Sequence, residues 1–246
     1  MINSADLSAR WLPLGRALRD FHDGKTDALI TVESDLWARE ETPVEEFYRP
    51  EGAALPEIER RSLSLCRGRV LDLGAGAGRH ALDLQRLGLE VTAVDISEDA
   101  AQVMIERGVR DVRHGNLEVV KGEQYETILL LMHGIGLVGN LEGLADFFSR
   151  SREYLSGRGR ILCDSADLAL VLPKLIEESG NQFEPGDSYF GEVEFCLSYG
   201  PIEGQPYPWL FVDPRTLQRF AARAGFRCTI DSRGTRGSYL ACIDTI

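Results

Sequence analysis

The stretch VLDLGAGAGRHALDL, residues 70–84, sets glycines 74, 76 and 78 directly behind an apolar run. An apolar run that breaks into glycines and resumes at helical spacing is a strand, a tight turn and a helix. Three glycines cost more backbone entropy than a bare turn requires, so the loop is read as a place where a ligand approaches the main chain. The dinucleotide fingerprint GxGxxG would need its third glycine at 79, where this chain has Arg79. No GK[ST] follows, which removes the P-loop as well. Asp72 stands two residues ahead of the first glycine. A carboxylate there repels a pyrophosphate seated on the following helix N-terminus and favours a ligand that carries a cation.

Around this loop the chain alternates strand and helix. RVLDL (69–73), EVTAVD (90–95), DVRHGN (111–116), YETILLLM (125–132) and GRILCD (159–164) read as strands. AGRHALDLQRLG, SEDAAQVMIERG and NLEGLADFFSRSREYL read as the helices between them. Strands apolar on both faces predict a mostly parallel sheet covered by helices on both sides, a three-layer Rossmann-like sandwich. DPRTLQRFAARAGF adds a helix capped by Asp213, and FRCTIDSR and SYLACIDTI close the chain as two strands. Their link is too short for a parallel crossover, so the last strand is expected to run antiparallel.

Two segments lie outside that rhythm. Residues 1–65 read as a helical cap, with the domain proper at 66–246. In this cap TPVEEFYRP reads as a short helix, with Thr42 as N-cap, Pro43 first and Glu45 completing a capping box. Residues 165–212 read as an inserted lid: a helix in DLALVLPKLIEESG, then a strand pair in YFGEVEFCLSYG and PYPWLFVD.

Further acids fall in register with the loop. Asp95 ends the second strand, 21 residues beyond Gly74, where a carboxylate can take both hydroxyls of a ribose. Asn116 follows 21 residues later, where an amide can read an adenine edge and the next residue, Leu117, can cover its face.

In order and spacing, DLGAGAG, VTAVDIS, GNLE and YETILLLMHGIG resemble the class I methyltransferases that use S-adenosylmethionine and release S-adenosylhomocysteine. The resemblance is close over residues 68–165 and extends in pattern to 213–246. It implies a seven-stranded sheet with its last strand inserted antiparallel. It also implies roles: Asp72 with the backbone of Gly74, Ala75 and Gly76 for the methionine end, Asp95 for the ribose, and Ile96 packing on the adenine. Asn116 and Leu117 would meet the adenine, and Met132 and His133 would sit beside the sulfonium. His133 is the candidate general base, since histidine as a residue type exchanges protons near neutral pH. The competing readings are a nicotinamide-dependent oxidoreductase, disfavoured by Asp72 and Arg79, and a cofactor-binding protein without activity.

Composition narrows the acceptor. The net charge of −12 argues against nucleic acid, whose binding rests on neutralised phosphates. The family's [DN]PP[YF] motif is replaced by MHGIG, and no Pro-Cys nucleophile follows that strand. A small-molecule acceptor remains, methylated on oxygen or nitrogen. The two segments outside the sheet would choose it, and both carry aromatics: Trp37, Phe47, Tyr48, Tyr189, Phe190, Tyr199, Tyr207 and Trp209. Tyr48, Arg49, Tyr189, Tyr207 and Trp209 are the candidate substrate contacts. The five scattered cysteines and four histidines show no metal-ligand spacing. With no secretory signal and no run of about 20 apolar residues, a cytoplasmic protein is expected, as a monomer or a homodimer.

Overall fold

The computed structural model describes residues 4–36, 38–171 and 189–246, with side chains from residue 8 onward. Among the described residues two sheets and seven helices alternate. The chain opens with α1 (Ser4–His22), then β1 (Leu29–Ser34), β2 (Glu40–Pro43), α2 (Val44–Tyr48) and α3 (Glu57–Leu65). The main layer follows as β3 (Arg69–Leu73), α4 (Arg79–Arg86), β4 (Glu90–Asp95), α5 (Glu98–Glu106), β5 (Asp111–His114), β6 (Tyr125–Leu130), α6 (Leu141–Tyr154) and β7 (Leu155–Ala166). After β8 (Glu192–Tyr199), β9 (Ile202–Glu203) and β10 (Tyr207–Leu210), the chain closes with α7 (Pro214–Arg223), β11 (Phe226–Arg233) and β12 (Ser238–Thr245).

The main sheet has the order β11-β12-β7-β6-β3-β4-β5. β5, β4, β3, β6 and β7 run parallel, and β12 is inserted antiparallel between β7 and β11. The seven strands and the reversed last strand match the expected fold class. Fully buried Leu71, Ile128, Leu130 and Ile161 pack with α6 and α7 on one side of the sheet. Val70, Ala93 and Leu129 pack with α4 and α5 on the other. The helix stops are those of the sequence: Ser97 caps α5 through Ala100 N–H, and Asp213 caps α7 through Arg215 and Thr216 N–H.

The N-terminal segment departs from the all-helical expectation. Its strands β1 and β2 join β8 and β10 in a second sheet of order β10-β8-β1-β2, with β9 on β8. Thr42 is therefore not a helix cap. It pairs with Ile30 in the ladder, and α2 begins behind Pro43 with no side-chain cap. Ladder partners distant in the chain outweigh the local capping pattern. The predicted strand pair in the insertion is present, with Tyr207 opposite Phe195. Trp37 and residues 172–180 of the predicted insertion helix lie outside the described residues. No helix among the described residues is long and apolar enough to cross a membrane.

α1 packs between the second sheet and α5, burying Leu18, Phe21, Ile30 and Val193 in a core of their own. This second sheet faces the carboxyl edge of the main one, the edge at which open α/β folds bind ligands.

Candidate functional site

The glycine loop leaves β3 with all three glycines at positive φ: 75° at Gly74, 55° at Gly76 and 75° at Gly78. L side chains adopt this region at a cost, so the loop's path itself selects glycine. Space adds a second demand. A Cβ on Gly74 would lie 2.7 Å from Leu137, and one on Gly78 would lie 2.7 Å from Val109. Gly76 meets nothing within 4 Å and leaves its main chain open to the cavity.

That cavity has a volume of about 410 Å³ and lies between the two sheets. Its floor is the carboxyl edge of the main sheet: Asp72, Gly74, Ala75, Gly76, Asp95, Ile96, Asn116, Leu117, Met132 and His133. The predicted cofactor residues therefore come together in one place. Its roof is α1 and the second sheet, including Tyr207 and Trp209.

Asp72 is buried at 2% exposure, and its Oδ2 has no hydrogen-bond partner. Burial, with Asp95 nearby, pushes its pKa up to about 6 against the pull of His80. A ligand cation at the unpartnered Oδ2 would add to His80 in stabilising the ionised carboxylate. Asp95 is anchored differently. One oxygen accepts Gly76 N–H at 2.7 Å and the other Ser97 N–H at 2.8 Å, which fixes the carboxylate at the strand's end. Asn116 caps the turn Leu117–Val120 by accepting Glu118 N–H, so its oxygen is committed and its exposed amide faces the cavity rim.

Met132 and His133 follow β6 with φ of 62° and 57°. Two successive non-glycine residues in the left-handed region are strained, a condition that surrounding contacts must enforce. Here Asp164, at the end of β7, accepts the His133 N–H at 2.8 Å. The His133 side chain is 39% exposed, yet its Nδ1 is buried, 3.9 Å from Asp164 Oδ2. Asp164 thus lies on the Nδ1 side of the ring. Burial raises the pKa of Asp164, with the His133 charge opposing it.

Three candidates do not reach the cavity. The Tyr48 ring lies between Phe21 and the Arg107 guanidinium, and its hydroxyl pairs with His22 Nδ1 at 2.8 Å. The Arg49 guanidinium turns back to Asp83 and to the Arg79 carbonyl. Tyr189 exchanges hydrogen bonds with Asp213 at 2.7 and 2.8 Å. All three hold elements together through these contacts.

Phe47, named in the sequence only among the aromatics of the N-terminal segment, enters the cavity one residue before Tyr48. Other cavity residues are not singled out by the sequence as contacts, among them Arg10 and Trp11 of α1. Arg79, cited only as a missing glycine, lines the cavity with His80, and Arg79 pairs with Glu59 of α3. Asp164 carried a signal, an acid at the carboxyl end of a parallel strand.

An open α/β sheet with a cation-seeking acid before its glycine loop and a second anchored acid after the next strand defines a nucleoside-binding enzyme. Comparison specifies it further. A family model described as a methyltransferase domain matches residues 70–142. The S-adenosyl-L-homocysteine complex of a SAM-dependent methyltransferase from Bacteroides fragilis is 36% identical, covers 97% of both chains, and superimposes with a TM-score of 0.84. The chain belongs to the S-adenosylmethionine-dependent methyltransferases, and S-adenosylmethionine is its cofactor. The CcbJ methyltransferase of Streptomyces caelestis, 17% identical over 82% of this chain and 96% of that one, shares the fold at a TM-score of 0.59. Ubiquinone biosynthesis O-methyltransferase of Xanthomonas euvesicatoria pv. vesicatoria is 29% identical over 110 residues, 43% of this chain and 45% of that protein. Such alignments span less than half the length of the curated relatives they match.

Proposed function

We propose that the enzyme methylates an oxygen or nitrogen of a small-molecule acceptor held between the glycine loop and the second sheet. The observation that carries this is the roofed cavity, whose far wall is mostly aromatic and apolar, with Arg10 its one cation among the described residues. A wall of that kind suits a compact organic acceptor and offers too few cations for a phosphate backbone.

The residues fit the cofactor. Asp72, with its unpartnered buried oxygen, would hold the ammonium, and the open main chain at Gly74, Ala75 and Gly76 would lie along the methionine. Asp95 would take the ribose hydroxyls, Ile96 and Leu117 would flank the adenine, and the Asn116 amide would meet its edge. Met132 and His133 would line the reacting end. Bound S-adenosylmethionine supplies an electrophilic methyl on a sulfonium, already an excellent leaving group. The chain's part is alignment and exclusion of water. His133 Nε2 would take the proton of a hydroxyl acceptor, and Asp164 would stabilise the imidazolium formed. The name of the Xanthomonas relative, an O-methyltransferase, supports oxygen as the atom methylated.

Thermal unfolding with S-adenosylhomocysteine or NADH tests the cofactor residues. S-adenosylhomocysteine at about 100 times its Kd adds about 2.7 kcal/mol of stability, and Asp95→Ala loses that response. An unchanged response in Asp95→Ala removes the ribose role. For the acceptor, release of S-adenosylhomocysteine is followed over small phenols and amines, bulk RNA and denatured protein. Turnover confined to RNA or protein would sink the small-molecule reading.

A further inference from the structure

We infer that the acceptor is a monoanion, a flat carboxylate whose charge pairs with Arg10. The inference rests on the methyltransferase reading and adds the chemical class of its acceptor. Arg10 projects from α1 into the cavity, next to Trp11 and Leu14. Its Nε is buried without a hydrogen-bond partner, and among the described residues its guanidinium enters no ion pair. The other arginines of α1 are served: Arg16 pairs with Asp99, and Arg19 with Glu106 at 2.7 Å. A half-buried guanidinium that lines a cavity without a counter-ion, one nitrogen of it buried and unpartnered, favours an anion arriving there.

Two ligand anions are available in principle, the cofactor's carboxylate and a charge on the acceptor. Position separates them. The Arg10 carbonyl lies against Gly204, in the link leading to β10, and Trp11 packs against Tyr207 with ring centroids 4.7 Å apart and the planes tilted by 42°. Ser8 and Gly15, which face Ile96 and Ser97 on the nucleoside side, lie about 140–160° around the helix from Arg10. At the loop the one other arginine of the lining among the described residues, Arg79, is already paired with Glu59, although its Nε is buried and unpartnered.

The body of the acceptor follows from the same wall. Trp11, Tyr207 and Trp209 form one ring cluster, with Trp11–Trp209 at 6.0 Å and Tyr207–Trp209 at 6.3 Å. Such rings accept a planar, unsaturated skeleton edge-on or offset. Among the described residues no lysine lines the cavity, so a single guanidinium faces the acceptor from this side. Its one positive charge balances one carboxylate, and a doubly charged phosphate would keep a charge unmatched.

The probes are 4-hydroxybenzoate and the uncharged 4-hydroxybenzamide, with binding read by tryptophan fluorescence or calorimetry on enzyme saturated with S-adenosylhomocysteine. The wild type should bind the carboxylate at least about tenfold more tightly than the amide. Arg10→Met should abolish that preference, Arg10→Lys should restore part of it, and S-adenosylhomocysteine affinity should stay within about twofold. Equal binding of the two probes by the wild type, or binding of neither, overturns the inference. So does a loss of S-adenosylhomocysteine affinity in Arg10→Met, which would give Arg10 to the cofactor. A wild type that fails to bind S-adenosylhomocysteine instead defeats the methyltransferase site itself, a separate readout.

Discussion

Arg79 grips both carboxylate oxygens of Glu59, at 3.0 and 2.7 Å, and His80 Nε2 shares the second of them at 2.7 Å. All three side chains are buried, so α3 of the N-terminal segment is bolted to the first turn of the helix behind the glycine loop.

Breaking this cluster from one side strands a charge. Glu59→Ala is expected to cost about 3–5 kcal/mol in urea unfolding, because Arg79 is left buried and unpaired. Burial opposes the charge on Glu59, but His80 and Arg79 outweigh it and hold its pKa below the ordinary range. Its contribution is therefore present above about pH 4.5 and is lost as acid titrates it, so the difference between wild type and Glu59→Gln should shrink below that pH. A difference that does not change between pH 3 and 7 would refute the assignment.

Asp72 carries the opposite sign. Its pKa in the folded protein, about 6, lies above the unfolded value of 3.8, so its contribution is complete below pH 3.8 and is lost as pH rises through 6. Asp72→Asn should therefore raise the stability of the ligand-free enzyme at pH 8, by up to about 3 kcal/mol. The same change should weaken S-adenosylhomocysteine binding at least tenfold. In the wild type that affinity should fall as pH drops below about 6, and in Asp72→Asn this dependence should vanish. Calorimetric titration between pH 5 and 8 reads both.

At His133 the informative replacement is asparagine, which tolerates the left-handed backbone that alanine does not. His133→Asn should lower kcat about 10²–10⁴-fold on a hydroxyl acceptor while S-adenosylhomocysteine affinity changes less than about threefold. Asp164→Asn should reduce kcat by less and alter the pH profile of turnover. Full activity in His133→Asn would eliminate the base.

Gly136 tests how the roof meets the floor. A Cβ there would overlap the Trp209 indole. Gly136→Ala should displace Trp209, cost about 1–3 kcal/mol and shift tryptophan emission to longer wavelength. An unmoved spectrum would mean that the indole does not seat on this glycine.

What the sequence displayed well was what lies close together in it. Asp72, the three glycines and Asp95 belong to one βαβ unit, and a shared period made them readable in register. Ser97 and Asp213 cap the helices that follow them for the same reason. The errors fall where distant segments meet. Thr42 looks like a cap until Ile30 claims it as a ladder partner. Tyr48 and Arg49 looked like free polar ends because His22, Asp83 and Arg107, which engage them, lie 26 to 59 residues away. Ile30 and Val32 did show a two-residue period between turn residues, a strand signal hidden by the helices around it. Arg10 had no local mark at all, since an arginine on an amphipathic helix is ordinarily solvated.

The second sheet has the order β10-β8-β1-β2, so one half of it comes from the insertion and the other half from the beginning of the chain. The two halves meet along the β1–β8 ladder. Grafting the first 65 residues of a relative onto this enzyme would supply one half without its matching partner, and grafting only the insertion would supply the other. Acceptor preference in this architecture is therefore inherited as a joint property of two separated stretches of gene. Any swap meant to retarget the enzyme has to carry both.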